Sequence, residues 1–434
     1  MLFYEYVESG PALLGDKTRK IRGTFRFGSV ENPANTTLAN VLRREILVSV
    51  PTVGFRTEPV ENTQVMIETN TTPLMNEMLA HRIGMIPIRA DPETFDPERY
   101  EFILKKENTG KSIIDITASD FEIYERDPTD PLSEGTRLDT TEFFPPDPIT
   151  NSTCLITRLR PQWNPTAKNE TLSLKARASV STGAENSRWS PVSQCSFENS
   201  IDTDPTRQEE MFTKWLNDHK KIANPSDPAY VNRVPELRRE YDTMEYQRCF
   251  LVNEKGDPYD FKFYIESVGV HSVSYCVLNG IKAAIKRLTK YQDLDNELPA
   301  TVSLRPGDAR FPCIDFIFKD EEHTLGNLLQ QYLVDHHVEG NKEPKISYAG
   351  YKVPHPLKAE MLLRVGVDIE GLTDPEEQTM LARRAVANVC RGVKSVFDAM
   401  LEQWTAVATQ FTGSLTAPSA EFTHQEREAP TVTQ

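Results

Sequence analysis

The sequence predicts an α+β fold: two strand–helix units that pair within one chain, with a β-rich domain inserted into the first. Three observations carry this reading. The stretch TLANVLRREIL at 37–47 is nearly repeated as TLGNLLQQYLV at 324–334. Each copy follows a strand-like segment and precedes an extended one with Gly–aromatic–basic and a proline close behind, GFRTEP at 54–59 and GYKVPHP at 350–356. Between the copies lie short alternating segments separated by Pro, Asp and Gly, the pattern of a β domain.

The elements follow in order. Residues Lys17 to Phe27 alternate loosely between apolar and charged, as in a half-buried strand. Asn35 and two threonines then offer an N-cap to a helix whose apolar residues Leu38, Val41, Leu42 and Ile46 fall at i, i+3, i+4 and i+8. Pro51 ends it, and extended segments follow to Ile67 and again at Met85–Ile88. From about 91 to 200 the chain reads as short strands, LSLKARASV at 172–180 alternating strictly. Residues 203–245 form a charged helical or irregular insertion; YDFKFYIESVG (259–269) is a strand and SVSYCVLNGIKAAIKRL (272–288) an amphipathic helix. A polar linker at 291–310 leads to the second copy: a strand at CIDFIF (313–318), then a helix with Leu325, Leu328, Leu329, Tyr332 and Leu333 on one face. A final helix at about 376–404 carries Val386, Val393 and Met400, and Val389, Val396 and Phe397, at near-heptad spacing suited to packing on another helix. The Thr-, Ser- and Glu-rich residues 405–434 have the composition of a disordered tail. The expected division is therefore 1–90 with 246–290, an inserted domain at 91–245, a linker at 291–310 and a second unit at 311–404.

Two like units in one chain are expected to form an internal pseudo-dimer. Its interface would hold Leu38, Val41 and Leu42 against Leu325, Leu328, Leu329 and Tyr332, with Val393 and Phe397 from the last helix. A flexible linker of this length spans roughly 25 Å, and tethering raises the effective concentration to the order of millimolar.

Composition narrows the function. A net charge of −15 over 434 residues argues against a chain whose main task is gripping nucleic acid. The six cysteines, Cys154, Cys195, Cys249, Cys276, Cys313 and Cys390, stand singly with no C-x-x-C pair, so no metal or cofactor is expected. No secretory leader and no membrane-length apolar run are present, which points to a reducing compartment. NTGKS (108–112) lacks the first glycine of a phosphate loop, Lys105 standing in its place, and reads as a hairpin turn between strand-like flanks. DLDNE (293–297) sits in the linker, and His336 and His337 are adjacent, so on a helix they diverge by about 100°. No grouping of nucleophile, base and orienting residue is visible, so no catalysis is expected.

Several stretches resemble a known family. NTTLANVLRREILVSVPTVGF (35–55), VENT (60–63), NEMLAHRIGMIPI (76–88), GAENSRWSPV (183–192) and ESVG (266–269) are similar to the assembly subunit of multisubunit RNA polymerases. That family includes the bacterial α N-terminal domain, the archaeal D subunit and the third-largest subunit of eukaryotic polymerase II. DEEHTLGNLLQQYLVDHHVEGNKEPKISYAGYKVPHPL (320–357) resembles the archaeal L subunit, its smaller partner. The resemblance implies dimerisation units of bacterial-α type and a non-catalytic platform for the largest and second-largest polymerase subunits. The first unit, with Arg43, Arg44, Glu61, Asn62, Thr63, His81 and Arg82, would face the second-largest subunit and a small zinc-binding one. The second, with Tyr351 and His355, would face the largest. DNA and RNA would be met only through the complex; a nucleic-acid-binding or other scaffold protein on the same fold is the alternative. The chain departs from the family in lacking the cysteine clusters of some members, in having Asn186 where His is usual, and in the 203–245 insertion and tail. The joining of two subunits in one chain is an arrangement associated with large cytoplasmic DNA viruses. It implies the host cytoplasm (the viral factory) and the virion, or alternatively the nucleus.

An internal pseudo-dimer leaves no apolar stripe for a second copy. Light scattering after size exclusion should give a monomer of 49.3 kDa; a concentration-independent dimer would contradict the intramolecular pairing.

Overall fold

The computed structural model describes residues 2–126, 135–162, 164, 168–222, 232–307, 311–369 and 374–412. The chain opens with β1 (Phe3–Leu13) and β2 (Asp16–Phe27), followed by α1 (Thr36–Val48) and β3 (Pro51–Phe55). Asn35 caps α1 by accepting from Leu38 N at 2.7 Å. The inserted region contains β4 (Val65–Asn70), α2 (Asn76–Gly84), β5 (Tyr100–Glu107), β6 (Ile114–Thr117), β7 (Glu122–Glu125), β8 (Thr136–Leu138), α3 (Thr140–Phe143), β9 (Leu155–Leu159), β10 (Thr171–Ala176) and β11 (Ala178–Thr182). Then come β12 (Val192–Asn199), α4 (Pro205–Lys220), α5 (Val234–Met244), β13 (Phe261–Ser267) and α6 (Val273–Thr289). The second unit is β14 (Val302–Pro306), β15 (Cys313–Lys319), α7 (His323–Leu333), β16 (Tyr348–Lys352), β17 (Glu360–Gly366) and α8 (Pro375–Thr412).

The two units share one topology. The first sheet has the order β1-β2-β13-β12 and the second β14-β15-β17-β16, each antiparallel at every pairing. In both, a helix follows the second strand (α1, α7) and another follows the last (α6, α8). Strand alternation sends Phe25, Phe27, Phe261, Phe263 and Ile265 inward from the first sheet, and Ile314, Phe316, Phe318, Met361 and Leu363 from the second. Both inner faces and all four helices share one continuous core.

This topology changes the expected division of the chain in five places. The inserted domain begins well before residue 91: β4 and α2, expected with the first unit at 1–90, join its sheet and core instead. The segment Val192–Asn199 pairs with β13 in the first sheet, because its inward Val192, Cys195 and Phe197 complete that core, so it does not belong to the inserted domain. It is also β12, not the GFRTEP arm, that matches β16: β3 leaves the sheet to pair only with β11, forming the stalk of the inserted domain. The linker region contains β14, which pairs with β15, since Val302 and Leu304 join the core. The last helix runs on to Thr412, past the expected end at 404; residues 413–434 of the expected tail lie outside the described residues.

The inserted domain has its own core beneath a five-stranded sheet, order β4-β10-β5-β7-β8, with Phe55, Phe102, Phe121, Phe143 and Phe144 at its centre. NTGKS is a turn but not a hairpin: β5 pairs with β10 and β7, and β6 crosses to β9. The buried Asn108 holds this crossing by donating to Ser112 O and Leu159 O, both at 2.9 Å. Met85–Ile88 forms no strand; the preceding residues fold as α2, which the sequence reading missed along with β1. Within 203–245, α4 and α5 share a small separate core of Phe212, Trp215, Leu216 and Tyr241, with Arg238 over the Phe212 ring at 4.5 Å.

His271, just before α6, stacks on Tyr275 with ring centroids 4.6 Å apart and is buried with Nε2 unpartnered. Burial lowers its pKa to about 4, opposed by Asp91. The folded value lies below the ordinary 6.5, so its contribution is complete above pH 6.5 and is lost as pH falls toward 4. The shift corresponds to about 3 kcal/mol. His271→Phe should flatten the loss of stability across this window in chemical denaturation. An unchanged pH slope would show that His271 does not titrate as the buried geometry requires.

Candidate dimerisation and docking site

The seam between the units is built where the sequence repeats itself. Leu38, Val41 and Leu42 of α1 and Leu325, Leu328 and Leu329 of α7 are all buried in the shared core, with Val393 and Phe397 of α8; Tyr332 is half-buried against it. The crossing of α1 and α7 brings Asn327 Nδ2 to 3.3 Å from Thr37 Oγ1, one residue from each repeated TLxN. Burial pushes the Tyr332 hydroxyl up to about 12, with Asn35 of the first unit as an opposing hydrogen-bond partner. Helix α6 meets α1 closely: a Cβ on Gly280 would come within 2.6 Å of Ile46 Cγ1. The Gly326 that replaces Ala39 in the repeat has a similar reason, since a Cβ there would meet the Tyr351 ring at 2.3 Å.

Two features of the seam escaped the sequence reading. Trp404 of α8 is fully buried in the first unit, packed edge-on to Phe3 at 5.2 Å and Tyr6 at 5.3 Å. Its Nε1 donates to Ser274 O at 3.1 Å. The signal was the apolar spacing Met400, Trp404, Val407, which runs through the expected helix end at 404. The other is ionic. Arg287 of α6 donates to Glu321 Oε2 at 3.0 Å, on the loop before α7, and its Nε lies 3.1 Å from Glu45 Oε1 on α1. That Nε contact is off the hydrogen-bond axis, but Arg287 Nη2 donates to the other oxygen of the same carboxylate, Glu45 Oε2, at 3.4 Å. Tyr291 donates to Glu321 at 2.9 Å, and both carboxylates are almost fully enclosed. Burial raises the Glu321 pKa, and the Arg287 charge is the largest influence opposing it. Glu45 takes the place of Tyr332 in the repeat, so a charge on the apolar stripe of only one helix marked this network.

The expected partner-facing residues lie on five separate elements. Arg43 and Arg44 are half-buried on α1; Arg43 donates to Asn40 Oδ1 at 2.8 Å. Arg44 makes no ion pair among the described residues and lines a cleft of about 440 Å³ at the seam, with Ser49 and Arg287 from the first unit and Asp320, Glu322 and Thr324 from the second. Glu61, Asn62 and Thr63 occupy the short turn after β3, the first two exposed. His81 and Arg82 are exposed on α2, where Arg82 donates to Leu155 O at 3.0 Å. Tyr351 is turned inward onto α7, its hydroxyl 3.3 Å from His323 Nδ1. His355 is exposed in the β16–β17 loop, where its Nδ1 accepts from Leu357 N at 3.1 Å. Asn186, in the RWSPV region, caps the turn that buries Trp189 against β3 and β11. Among the described residues no group of three or more His, Cys, Asp or Glu could hold a metal ion, and no helix is long and apolar enough to cross a membrane.

Two equivalent sheet-and-helix units closing on one core, with polar groups gathered at the seam rather than around a reactive centre, define a dimerisation scaffold. Comparison with known proteins gives the particular family. Residues 30–288 and, separately, 313–403 match the RNA polymerase Rpb3/Rpb11 dimerisation domain, and the chain belongs to this family. It is 27% identical over 257 residues to DNA-directed RNA polymerase subunit Rpo3 of Methanopyrus kandleri, covering 57% of this chain and 84% of the relative. It is 25% identical over 296 residues to DNA-directed RNA polymerase II subunit RPB3 of Schizosaccharomyces pombe, covering 62% and 84%. A third relative, subunit rpc19 of DNA-directed RNA polymerases I and III of Dictyostelium discoideum, is 32% identical over 91 residues, 21% of this chain and 71% of its own.

The ionic network yields a pH-dependent test. Arg287→Met leaves two buried carboxylates without their cation, a change that costs about 3–5 kcal/mol. Because Glu321 already has a folded pKa above the ordinary 4.5, the deficit should be full at neutral pH and shrink on acidification toward 4.5, where protonation removes the buried charge. A deficit independent of pH would mean that the carboxylates are hydrated in solution.

Proposed function

We propose that this chain is a non-catalytic assembly platform of a DNA-directed RNA polymerase, one chain doing the work of two dimerising subunits. The observation that carries the reading is the pair of family domains, each on one unit, joined by a single buried core. The largest and second-largest subunits would dock on it. The first unit would offer Arg43, Arg44, Glu61–Thr63 and His81–Arg82 to the second-largest subunit and a small zinc-binding one, and the second would offer the loop at His355 to the largest. Arg44 supports this: it makes no ion pair among the described residues although Glu45, Asp320 and Glu322 line the same cleft, so its guanidinium is left to an acidic group brought by a partner. Residence in a viral factory or virion, or in the nucleus, remains part of this proposal.

Affinity purification from the source should bring down two very large polymerase subunits with this chain, while the isolated chain makes no RNA. Arg43→Ala with Arg44→Ala should leave the melting temperature nearly unchanged, since surface changes stay within about 0.5 kcal/mol. Loss of a partner-facing ion pair costs about 2–5 kcal/mol, roughly 30- to several-thousand-fold in affinity, so the second-largest subunit should be lost from the complex. RNA synthesis by the chain alone would refute the reading. Full assembly by the double mutant would move the contact to Glu61–Thr63 and His81–Arg82.

A further inference from the structure

The internal equivalence of the units gives each surface of one a counterpart on the other. In the first unit, the trough between β1 and the start of α6 is filled by the last turns of α8, with Trp404 against Phe3, Tyr6 and Phe25 and bonded to Ser274 O. Leu2 N closes the contact by donating to Gln403 Oε1 at 2.8 Å. The corresponding trough in the second unit lies between β14 and the start of α8. By strand register Val302 and Leu304 take the places of Phe3 and Tyr6, and Phe316 that of Phe25.

Helix α6 does not return the favour. It has 17 residues against 38 in α8 and ends at Thr289, where the chain turns toward β14. Tyr291 reaches Phe318, ring centroids 5.1 Å apart, and Leu294 O accepts from Arg383 Nε at 2.6 Å. Beyond these contacts a groove of about 690 Å³ is left among the described residues, its floor formed by Leu304, Pro306 and Ile314 and its wall by Glu376, Met380 and Arg383. Met380 is 48% exposed at the rim of this groove. Arg383 has no carboxylate partner among the described residues.

We propose that this groove receives an amphipathic helix from a partner subunit of the polymerase, carrying an aromatic or large aliphatic anchor and an acidic flank. The anchor would rest on Leu304 and Ile314 as Trp404 rests on the first unit, and the acidic flank would meet Arg383. The inference deepens the platform reading and rests on it for the identity of the partner. A helix is the fitting occupant because the equivalent trough already holds one, and a methionine wall adapts to such an insertion.

The probe is a fluorescent peptide with the sequence of residues 397–409, FDAMLEQWTAVAT, the segment that fills the equivalent trough. Added to the purified full chain, it should bind saturably in a one-to-one complex. Met380→Glu in the chain, at an exposed position that folding does not require, should weaken binding by about tenfold or more, as should Trp→Ala in the peptide. Absence of saturation, or binding indifferent to Met380→Glu, would overturn the proposal; the second result would mean that the peptide displaces α8 from the first unit. In the assembled polymerase, a Met380→Cys thiol should react with maleimide at least about tenfold more slowly than in the free chain, as mapped by mass spectrometry. Equal reactivity with both large subunits bound would refute the groove's occupancy while leaving the platform intact. Failure of those subunits to bind would instead fell the platform reading, and the peptide titration would still decide the groove.

Discussion

Each four-stranded sheet of this protein has one apolar face, and the helices that follow its strands do not cover it alone. The first sheet presents four phenylalanines, Phe25, Phe27, Phe261 and Phe263, from two neighbouring strands, with Phe25 and Phe263 stacked at 4.9 Å. It reaches full burial only when Trp404 arrives from the far end of the second unit. Burying an aromatic ring of this size removes the largest apolar surface that a single side chain can offer. The second sheet depends in turn on α1, α6 and the turn after α6. Closure of one core by two incomplete units is therefore the constraint from which the rest of the architecture follows.

The polar groups at the seam serve a different end from the apolar ones. Leucines on α1 and α7 supply affinity without direction, since apolar burial depends on area. The Glu45–Arg287–Glu321 network, with Tyr291, sets the register: one guanidinium must reach α1 and the loop before α7 together. A buried ionic group is a weak source of net stability, and a misaligned one is heavily penalised. This arrangement selects one docking geometry for the two units. The seam cleft with Arg44 exists only in that geometry, because its walls come from both units.

Insertions are accommodated where they do not disturb this closure. The β-rich domain leaves through the β3–β11 stalk, and Trp189 fixes its base, with Thr52 Oγ1 donating to Trp189 O at 2.8 Å. The α4–α5 hairpin departs between β12 and β13 and keeps a core of its own. Among the described residues, neither contributes a side chain to the shared core. Length has been added to the first unit at sheet margins, while the paired helices keep the spacing of the repeat.

The amino-acid sequence by itself determined the duplication, the apolar stripes on α1 and α7 and the helix–strand identity of the paired elements. These are local properties: a period of 3.6 or 2 is written in neighbouring residues and survives any tertiary context. It also determined the family, because the repeated TLxN and the strings around it are contiguous. Only the tertiary structure decided which strands share a sheet. VSQCSFEN alternates too weakly to declare itself, and its pairing with β13 across the α4–α5 insertion is non-local. The same holds for β14 within a polar linker, for the arrival of Trp404 in the opposite unit, and for the meeting of Glu45 and Glu321 on Arg287, three residues far apart in the chain. Such contacts are fixed by the geometry of closing two surfaces on one core. No window of sequence contains that information.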